Sequence, residues 1–418
     1  MKITYCQKCL NPSNHPLGIY FDKHGVCGGC NVHEEKYKIN WDQKFKILNE
    51  FFDKKKNSFY DCVIPINGNG DDFFVTHFVK KVLRLNPLLV TYNNHFNTKI
   101  GIRNTSRLIA SLDCDHINMT LNPEVVRKIT KKSFELIDDI YWHVLSGNQS
   151  FPVQIALKMN IPVIIWGVNG WLEQVGKFSH HDNAEMNKRI WEEFSLRNLS
   201  YKKILNRLEL GSRDLAPLIY PSLEEIYKKK LKGIYIGNYI LWDSKKQTEE
   251  MIRLYGYETK RQDRTHNTYE SIYCGINAGT HDLIKFLKYR YGKVIDHINR
   301  DIRFKRISRE ESKYIVKKYQ NRIPKDLDTF CNWGKFNKSL FLKKLLKLNS
   351  FFISNNRVFD KEPNIISNLE KKTSQEVDAI EKKLNYIQTI NLEKEKSSDQ
   401  FNIFGRTYMD KYNYKALG

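Results

Sequence analysis

A short apolar run, a glycine-containing loop and a helix-like segment constrain the fold of this chain most strongly. Residues 60–66 are apolar and partly β-branched, residues 67–72 read NGNGDD, and residues 73–83 repeat apolar side chains at helical spacing. This order predicts a strand, a loop and a helix. A second apolar run at residues 88–92 completes a βαβ unit. The loop would lie at the carboxyl end of the first strand, where open α/β sheets bind ligands.

Strand-like and helix-like segments continue to alternate along the chain. Further helices are predicted at residues 100–112, 123–136 and 152–159, and further strands at residues 115–120, 161–167 and 233–237. Alternation at this pitch predicts an α/β fold with a doubly wound parallel sheet. We expect this α/β domain to span residues 59–325, with a charged helical insertion near residues 198–230.

The remaining segments are predicted to flank that domain. Residues 36–58 form a helical connector, and residues 326–418 form a Lys-rich helical C-terminal appendage. Residues 1–35 contain two C-x-x-C pairs with 17 residues between them. This spacing is typical of a structural zinc ribbon, whose four thiolates bind one ion tetrahedrally. The predicted zinc ligands are Cys6, Cys9, Cys27 and Cys30; free or redox-active thiols are the alternative.

The charge of the chain suggests an anionic partner. Lys and Arg number 69 against 47 Asp and Glu, a net charge of +22. Nucleic acid, a nucleotide or membrane headgroups would suit this charge, but a Lys-rich solvated surface would explain it equally well. No apolar run approaches the roughly 18 residues that span a bilayer, and the N-terminal residues lack a signal-peptide core. We therefore expect a cytoplasmic protein.

The loop at residues 67–72 matches neither the G-x-x-x-x-G-K-[ST] nor the G-x-G-x-x-G phosphate-binding pattern. It resembles the pyrophosphatase loop, S-G-G-x-D-S, of enzymes that cleave ATP between the α and β phosphates. Gly68 and Asp71 match this pattern, whereas Asn67, Asn69 and Asp72 replace Ser, Gly and Ser. A plain Asn-Gly turn before a helix is the alternative interpretation.

Several motifs in order resemble those of the N-acetyl sugar amidotransferases, which act in lipopolysaccharide and flagellar sugar biosynthesis. Besides the cysteine pairs and the loop, these motifs lie at residues 86–91, 165–169, 255–257 and 302–311. The resemblance covers residues 5–320 and extends to residues 408–414. It implies an adenine nucleotide alpha hydrolase-like domain with a pyrophosphatase loop.

The family resemblance also implies a reaction and its cofactors. An N-acetyl oxygen of a sugar would attack the α-phosphorus of ATP, and ammonia would then displace AMP to give an acetamidino group. The backbone N–H groups of Gly68, Asn69 and Gly70 would hold the pyrophosphate at the positive end of a helix. Asp71 would bind Mg²⁺ and act in catalysis, and Asn67, Asp72 and Thr91 are assigned to the nucleotide as well.

Two further groups of residues complete the predicted site. Asn169 and Glu173, in a glycine-containing turn after a strand, are predicted to face the sugar and take part in catalysis; a turn with a packed Trp is the alternative. In the run Arg300, Arg303, Arg306 and Arg309, we assign Arg303 and Arg306 to the diphosphate, against the alternative of a solvated helix face. The adjacent residues His180 and His181, and the group Arg261, Arg264 and His266, receive no assignment.

The sequence contains no evident ammonia source. The resemblance implies a glutaminase subunit and a cyclase-like subunit with an ammonia channel as partners. Two other functions remain open. A tRNA-thiolating or lysidine-forming enzyme would explain the positive charge more directly. A non-catalytic scaffold subunit would explain the substituted loop.

Overall fold

The central feature of the fold is a five-stranded parallel sheet with the strand order β3-β2-β1-β4-β5. The computed structural model describes residues 3–53, 59–182, 184–186, 206, 211–347, 351–354, 357–360, 365–366 and 369–384. The strands of the sheet are β1 (Cys62–Pro65), β2 (Pro87–Tyr92), β3 (Asp115–Met119), β4 (Val163–Trp166) and β5 (Lys232–Tyr235).

The order of the strands places the predicted loop at a topological switch point. The chain proceeds outward from β1 to β2 and β3, returns to the other side of β1 as β4, and continues to β5. Val63 of β1 therefore pairs with Leu88 of β2 on one side and with Ile164 of β4 on the other. In doubly wound sheets, ligands bind in the crevice at this point. The prediction of a doubly wound parallel sheet is confirmed.

Helices cover both faces of the sheet. In the described ranges the α-helices are α1 (Gly28–Glu35), α2 (Trp41–Asp53), α3 (Gly70–His77), α4 (Lys99–Leu112), α5 (Pro123–Ile137), α6 (Trp142–Lys158), α7 (Gly170–Glu173), α8 (Leu223–Lys228), α9 (Ser244–Tyr255), α10 (Thr280–Tyr289), α11 (Lys293–Arg303), α12 (Arg309–Tyr319), α13 (Leu327–Gly334), α14 (Lys338–Leu346) and α15 (Ser374–Lys382). A π-helical turn, Phe78–Val82, extends α3.

Successive residues of the strands are buried in opposite layers. Ile64 and Leu89 pack with apolar side chains of α3, α4 and α9, whereas Val63 and Ile164 pack with α5 and α6. Burial on both faces is typical of parallel sheets, whose strands are almost continuously apolar. This explains why the strands were visible in the sequence as short apolar runs.

Helix α6 is longer than the predicted helix at residues 152–159. It begins at Trp142 and contains Pro152 in its interior. Proline lacks a backbone N–H and usually marks the first turn of a helix, so the sequence suggested a start at Pro152. Trp142 and Val144 are fully buried, which stabilises the N-terminal half of this helix through packing.

The C-terminal region is helical, as predicted, and also contains an unpredicted hairpin. Strands β6 (Phe351–Ser354) and β7 (Arg357–Asp360) pair antiparallel. Residues 385–418, including the resemblance at residues 408–414, lie outside the described residues, as does most of 187–210, where the predicted insertion begins. Within the described ranges, every helix is too short or too polar to cross a bilayer.

Candidate active site

Two glycines of the loop are required by its surroundings. Gly68 has a φ angle of +91°, and a Cβ atom there would lie 2.5 Å from Thr105 Oγ1 on α4. A Cβ atom on Gly70, at the start of α3, would lie 2.6 Å from Thr248 Oγ1 on α9. Helices α4 and α9 therefore close tightly on the loop, which explains why these two positions are glycine.

The amide groups of the loop bind the side chain of Asp72. Its Oδ2 atom accepts hydrogen bonds from the backbone N–H groups of Asn67, Gly68 and Asn69, with N···O distances of 2.6, 2.8 and 2.9 Å. Converging backbone amides at a helix N-terminus form an anion site. Two of the three amides that were predicted to hold pyrophosphate, those of Gly68 and Asn69, thus hold a carboxylate of the chain itself.

Burial raises the pKa of the Asp72 carboxyl to about 6, and the three amide hydrogen bonds oppose this shift. The charged form remains dominant at neutral pH, but the pKa lies only about one unit below pH 7. Asp72 therefore changes its charge within a pH range that is accessible to binding experiments.

Asp71 points into a cavity at the carboxyl ends of the strands. The cavity has a volume of about 240 Å³, and its wall also includes Asn67, Trp166 and Gly167. The Oδ1 atom of Asp71 is shielded from solvent and has no hydrogen-bond partner among the described residues. Burial and the nearby Glu270 raise the pKa of Asp71 to about 8, while Arg300 acts in the opposite direction. Asp71 would therefore be mainly neutral at pH 7 without a cation, and a bound Mg²⁺ would favour the ionised form that coordinates it.

Glu270 and Arg300 form an ion pair beside this cavity. His297 extends the group: its Nε2 lies 3.6 Å from Glu270 Oε2, and its Nδ1 lies 2.7 Å from Thr265 Oγ1. No motif in the sequence identified Glu270. The sequence showed that His297 lies near the arginine run. It did not show that His297 contacts Glu270, which lies near Asp71.

Thr91 lies beside the loop, in a second cavity of about 210 Å³ that shares Asn67 with the first. Its hydroxyl donates to the carbonyl oxygen of Ile66 at 2.9 Å and lies 2.9 Å from His116 Nε2. Burial lowers the pKa of His116 to about 4, so this imidazole is neutral at pH 7. The position of Thr91 agrees with its assignment to the nucleotide, which stays a prediction.

Asn169 and Glu173 are held by contacts within the protein, and their assignment to catalysis stays a prediction. Asn169 caps α7: its Oδ1 accepts from the Trp171 backbone N–H at 3.0 Å, and its Nδ2 donates to Ala184 at 3.3 Å. Glu173 accepts a hydrogen bond from the buried Lys36 at 2.7 Å. Both polar ends of Asn169 and one Glu173 oxygen are therefore engaged within the protein.

The turn that contains Asn169 and Glu173 continues into a segment that packs against the cysteine-containing segment. A Cβ atom on Gly176 would lie 2.1 Å from the carbonyl carbon of Gly28, and one on Gly29 would lie 2.5 Å from the carbonyl oxygen of Gln174. The chain after β4 thus packs directly against the start of α1. Residues 174–176 thus contact the start of that helix.

The four arginines predicted to gather at the diphosphate separate in the structure. Arg303 donates to the carbonyl oxygens of Glu173 and Gln174 at 2.8 and 3.1 Å, and its Nη2 lies 3.8 Å from Cys27 Sγ. Arg306 binds both carboxylate oxygens of Asp243 at 2.6 Å. Both guanidinium groups are thus engaged within the protein, and the assignment of Arg303 and Arg306 to the nucleotide stays a prediction.

The separation has a simple geometric cause. Arg300 and Arg303 belong to α11, Arg306 lies in the turn after it, and Arg309 begins α12. A spacing of three residues keeps side chains on one face only within a continuous helix. Arg309, for example, donates to the carbonyl oxygens of Cys6 and Cys9, both at 3.1 Å.

The four predicted zinc ligands converge. Cys6 Sγ and Cys30 Sγ are 3.9 Å apart, Cys9 Sγ and Cys27 Sγ are 3.6 Å apart, and all four sulfur atoms lie within 4.8 Å of one another. Tetrahedral zinc with Zn–S bonds of about 2.3 Å requires S···S distances of about 3.8 Å. The cluster could therefore bind a zinc ion, as the sequence predicted.

Donors around the cluster would stabilise thiolate charge. The backbone N–H groups of Cys9 and Cys27 point to Cys6 Sγ at 3.4 and 3.2 Å, and Asn11 Nδ2 lies 3.6 Å from Cys27 Sγ. The guanidinium of Arg303 supplies a positive charge on the same side. Such outer contacts orient metal ligands and support their ionised form.

Comparisons with known proteins give one family match. Residues 264–373 match the family described as LPS biosynthesis protein WbpG-like, C-terminal domain. A search of curated proteins gave no significant match.

Two solved structures are similar to part of this chain at low identity. The NH3-dependent NAD synthetase of Campylobacter jejuni is 18% identical, with 46% of this chain and 92% of that chain covered and a TM-score of 0.26. The NMN synthetase of Francisella tularensis is 13% identical, with coverages of 46% and 96% and a TM-score of 0.25. The segment that contributes Glu270, His297 and Arg300 to the site is thus similar to the C-terminal domain of WbpG-like lipopolysaccharide biosynthesis proteins.

Proposed function

We propose that the protein is an ATP-dependent amidotransferase that converts the N-acetyl group of a bacterial surface-polysaccharide sugar into an acetamidino group. The observation that carries this proposal is the position of the loop. It lies at the switch point of a doubly wound sheet and opens on a cavity that Asp71 lines. The WbpG-like segment at residues 264–373 supports a role in lipopolysaccharide biosynthesis.

In the first step of the proposed reaction, the acetamido oxygen attacks the α-phosphorus of ATP and pyrophosphate leaves. The O-adenylyl imidate that forms is then attacked at its carbon by ammonia. AMP departs with the C–O electron pair, and the excess proton passes to solvent. Little covalent chemistry falls to the protein in such a sequence, so its task is to position the reactants and neutralise charge.

The loop and Asp71 would position the phosphates and neutralise their charge. Asp71 would bind a Mg²⁺ ion that neutralises phosphate charge. The amides of Gly68 and Asn69 would hold the departing pyrophosphate, provided that Asp72 first releases them. Rotation or protonation of the Asp72 side chain would do so, and its raised pKa makes protonation accessible.

Ammonia would come from other subunits. We propose that a glutaminase delivers it, with a cyclase-like subunit forming the channel, as the family resemblance implies. Cytoplasmic localisation belongs to the same proposal, because ATP and glutamine are available there.

A second candidate is a non-catalytic subunit that retains the fold. The specific observation in its favour is the Asp72 carboxylate, which occupies the amides where a phosphate would bind. In this case the Asp72 side chain would keep the loop amides occupied, and ATP would not bind at physiological concentrations.

Calorimetry with ATP and Mg²⁺ distinguishes the two candidates. The zinc-loaded wild type is compared with Asp71→Ala and with Asp72→Ser, which restores the hydroxyl of the pyrophosphatase-loop pattern. Binding by the wild type that Asp71→Ala abolishes supports the enzyme, and AMP release with an acetamido sugar and ammonia would then test the reaction. Absence of binding in the wild type, together with binding by Asp72→Ser, supports the non-catalytic subunit.

A further inference from the structure

A separate cavity of about 550 Å³ lies between residues 261–268, the C-terminal part of α12 with the turn after it, and α15. Its volume is in the range of sites that bind small molecules and cofactors. Thr265 and His266 contribute to its wall. Since Thr265 contacts His297, which faces Glu270, the cavity adjoins the polar group that reaches Asp71.

The cavity has an excess of positive charge. Arg261, Arg322, Lys325 and Lys382 line it, and none of the four has a carboxylate within ion-pairing distance among the described residues. Arg322 packs its guanidinium 4.7 Å from the ring centre of Tyr319. This contact restrains the guanidinium but leaves its N–H groups available to a ligand.

The acidic residues in the wall are already engaged. Asp378 and Glu381 both pair with Lys318, at 2.6 and 2.5 Å. Asp263 accepts a hydrogen bond from the backbone N–H of Lys325 at 3.0 Å. With Lys318 included, the wall has five Lys and Arg side chains against three carboxylates, a net charge of +2, so the cavity suits an anion.

A buried hydroxyl in the same wall also lacks a partner. Thr268 is 4% exposed and lines the cavity. Its Oγ1 atom has no hydrogen-bond partner in the part of the chain that the structure describes. Because this atom is shielded from solvent, Thr268 forms part of the wall without presenting its hydroxyl to the cavity, and the preference for an anion comes from the cations.

We propose that this cavity binds the diphosphate group of a nucleoside-diphosphate ligand. Two phosphates carry enough charge to engage several of the four cations, and Arg contacts phosphate oxygens with two N–H groups at once. The site is distinct from the pyrophosphatase-like loop. If the proposed function holds, the ligand is the nucleotide handle of the acetamido sugar, whose sugar end would extend toward Glu270 and Asp71.

The test uses the full chain with Asp71→Asn, so that binding at the loop does not contribute. Calorimetry without ATP, Mg²⁺ or ammonia is run with inorganic pyrophosphate, a nucleoside monophosphate and a nucleoside diphosphate. We expect the nucleoside diphosphate to bind more tightly than the monophosphate. The double variant Arg261→Gln and Arg322→Gln should lower its affinity by at least about tenfold.

Two variants make the result specific to the cavity. Lys317→Gln removes a charge from an exposed residue of α12 that does not line the cavity, and it should leave affinity unchanged. Thr268→Val, which removes a shielded hydroxyl of the wall at similar volume, should also leave affinity unchanged.

An equal loss of affinity for the nucleoside diphosphate in Lys317→Gln and in the double variant would overturn the proposal, because it would indicate a diffuse charge effect. Tighter binding of a short single-stranded oligonucleotide than of the nucleoside diphosphate would overturn it in favour of nucleic acid. Diphosphate binding in a protein that shows no ATP binding would leave the inference standing while the proposed enzyme activity fails.

Discussion

Asp72 accepts a hydrogen bond from the backbone N–H of Gly68 at 2.8 Å, across the loop in which both residues lie. The side chain thereby occupies the amides that face a phosphate in loops of the resembling pattern. A serine at this position would leave these amides unoccupied. The substitution that weakened the sequence match thus has a direct structural effect.

Asp72→Ser should increase the affinity for ATP and Mg²⁺ by about tenfold or more, because the competing carboxylate is removed. The loss of three amide hydrogen bonds at the start of α3 should cost about 1 kcal/mol of stability. Titration calorimetry and urea unfolding measure the two effects. Asp72→Asn, a neutral side chain of nearly the same shape, should fall between wild type and Asp72→Ser; an affinity equal to that of wild type would argue against charge competition.

Nucleotide binding by the wild type should strengthen as the pH falls from 7.5 to 5.5. Since the pKa of Asp72 is raised to about 6, the carboxyl becomes neutral in this range and holds the amides less strongly. The gain should be up to about tenfold. ATP titrates its own phosphates here, so Asp72→Ser is the control. Identical pH profiles for both proteins would exclude the proposed competition.

Asp71→Asn should stabilise the protein at high pH but not at low pH. The pKa of Asp71 is raised to about 8, so the folded protein favours the neutral carboxyl. The stability that this group contributes is present below its unfolded-state pKa near 3.8 and is lost as the pH rises through 8. We expect a gain in melting temperature of a few degrees at pH 8.5 and none at pH 4. A gain that is constant with pH would contradict this prediction.

Glu173→Gln should destabilise the protein by about 3 kcal/mol, because Lys36 is left buried without a full charge partner. The side chains of Lys36 and Glu173 are only 1% and 15% exposed. The exposed pair Lys8 and Glu34 provides a matched control, and Glu34→Gln should cost less than about 1 kcal/mol. The midpoint of urea unfolding measures both. Equal effects would show that the buried pair has no special role.

Cys27→Ser should abolish zinc binding and loosen α11. Arg303 and Asn299 of that helix contact the cysteine-containing segment, with Asn299 Oδ1 accepting from the backbone N–H of Leu10 at 2.7 Å. Elemental analysis should give one zinc per chain in the wild type, and hydrogen exchange should accelerate in α11 of the variant. Cys62→Ser, in a core strand, should retain zinc.

The sequence predicted those features that depend on local patterns. The central strands β1, β2 and β4 are apolar runs because both of their faces are buried, and Val63 and Ile64 illustrate this alternation. The cysteines were recognised because metal coordination requires a fixed spacing of ligands.

The partners of the charged residues were not predictable in the same way. Glu270 contacts Arg300, and Arg303 contacts Cys27, although hundreds of residues separate the second pair. Such contacts depend on how α11 packs against the cysteine-containing segment and the loop. For the same reason the spacing of the arginines suggested one anion site where the structure has four different environments.

The bond between Arg309 and the carbonyl oxygens of Cys6 and Cys9 links positions about 300 residues apart. During synthesis at roughly 5–20 residues per second, the cysteine segment leaves the ribosome roughly 15–60 seconds before Arg309 does. Zinc can stabilise this segment before the part of the chain that contains Arg309 has been synthesised. Bound zinc would then hold the four thiolates together in the nascent chain until the surface that this segment contacts has been synthesised.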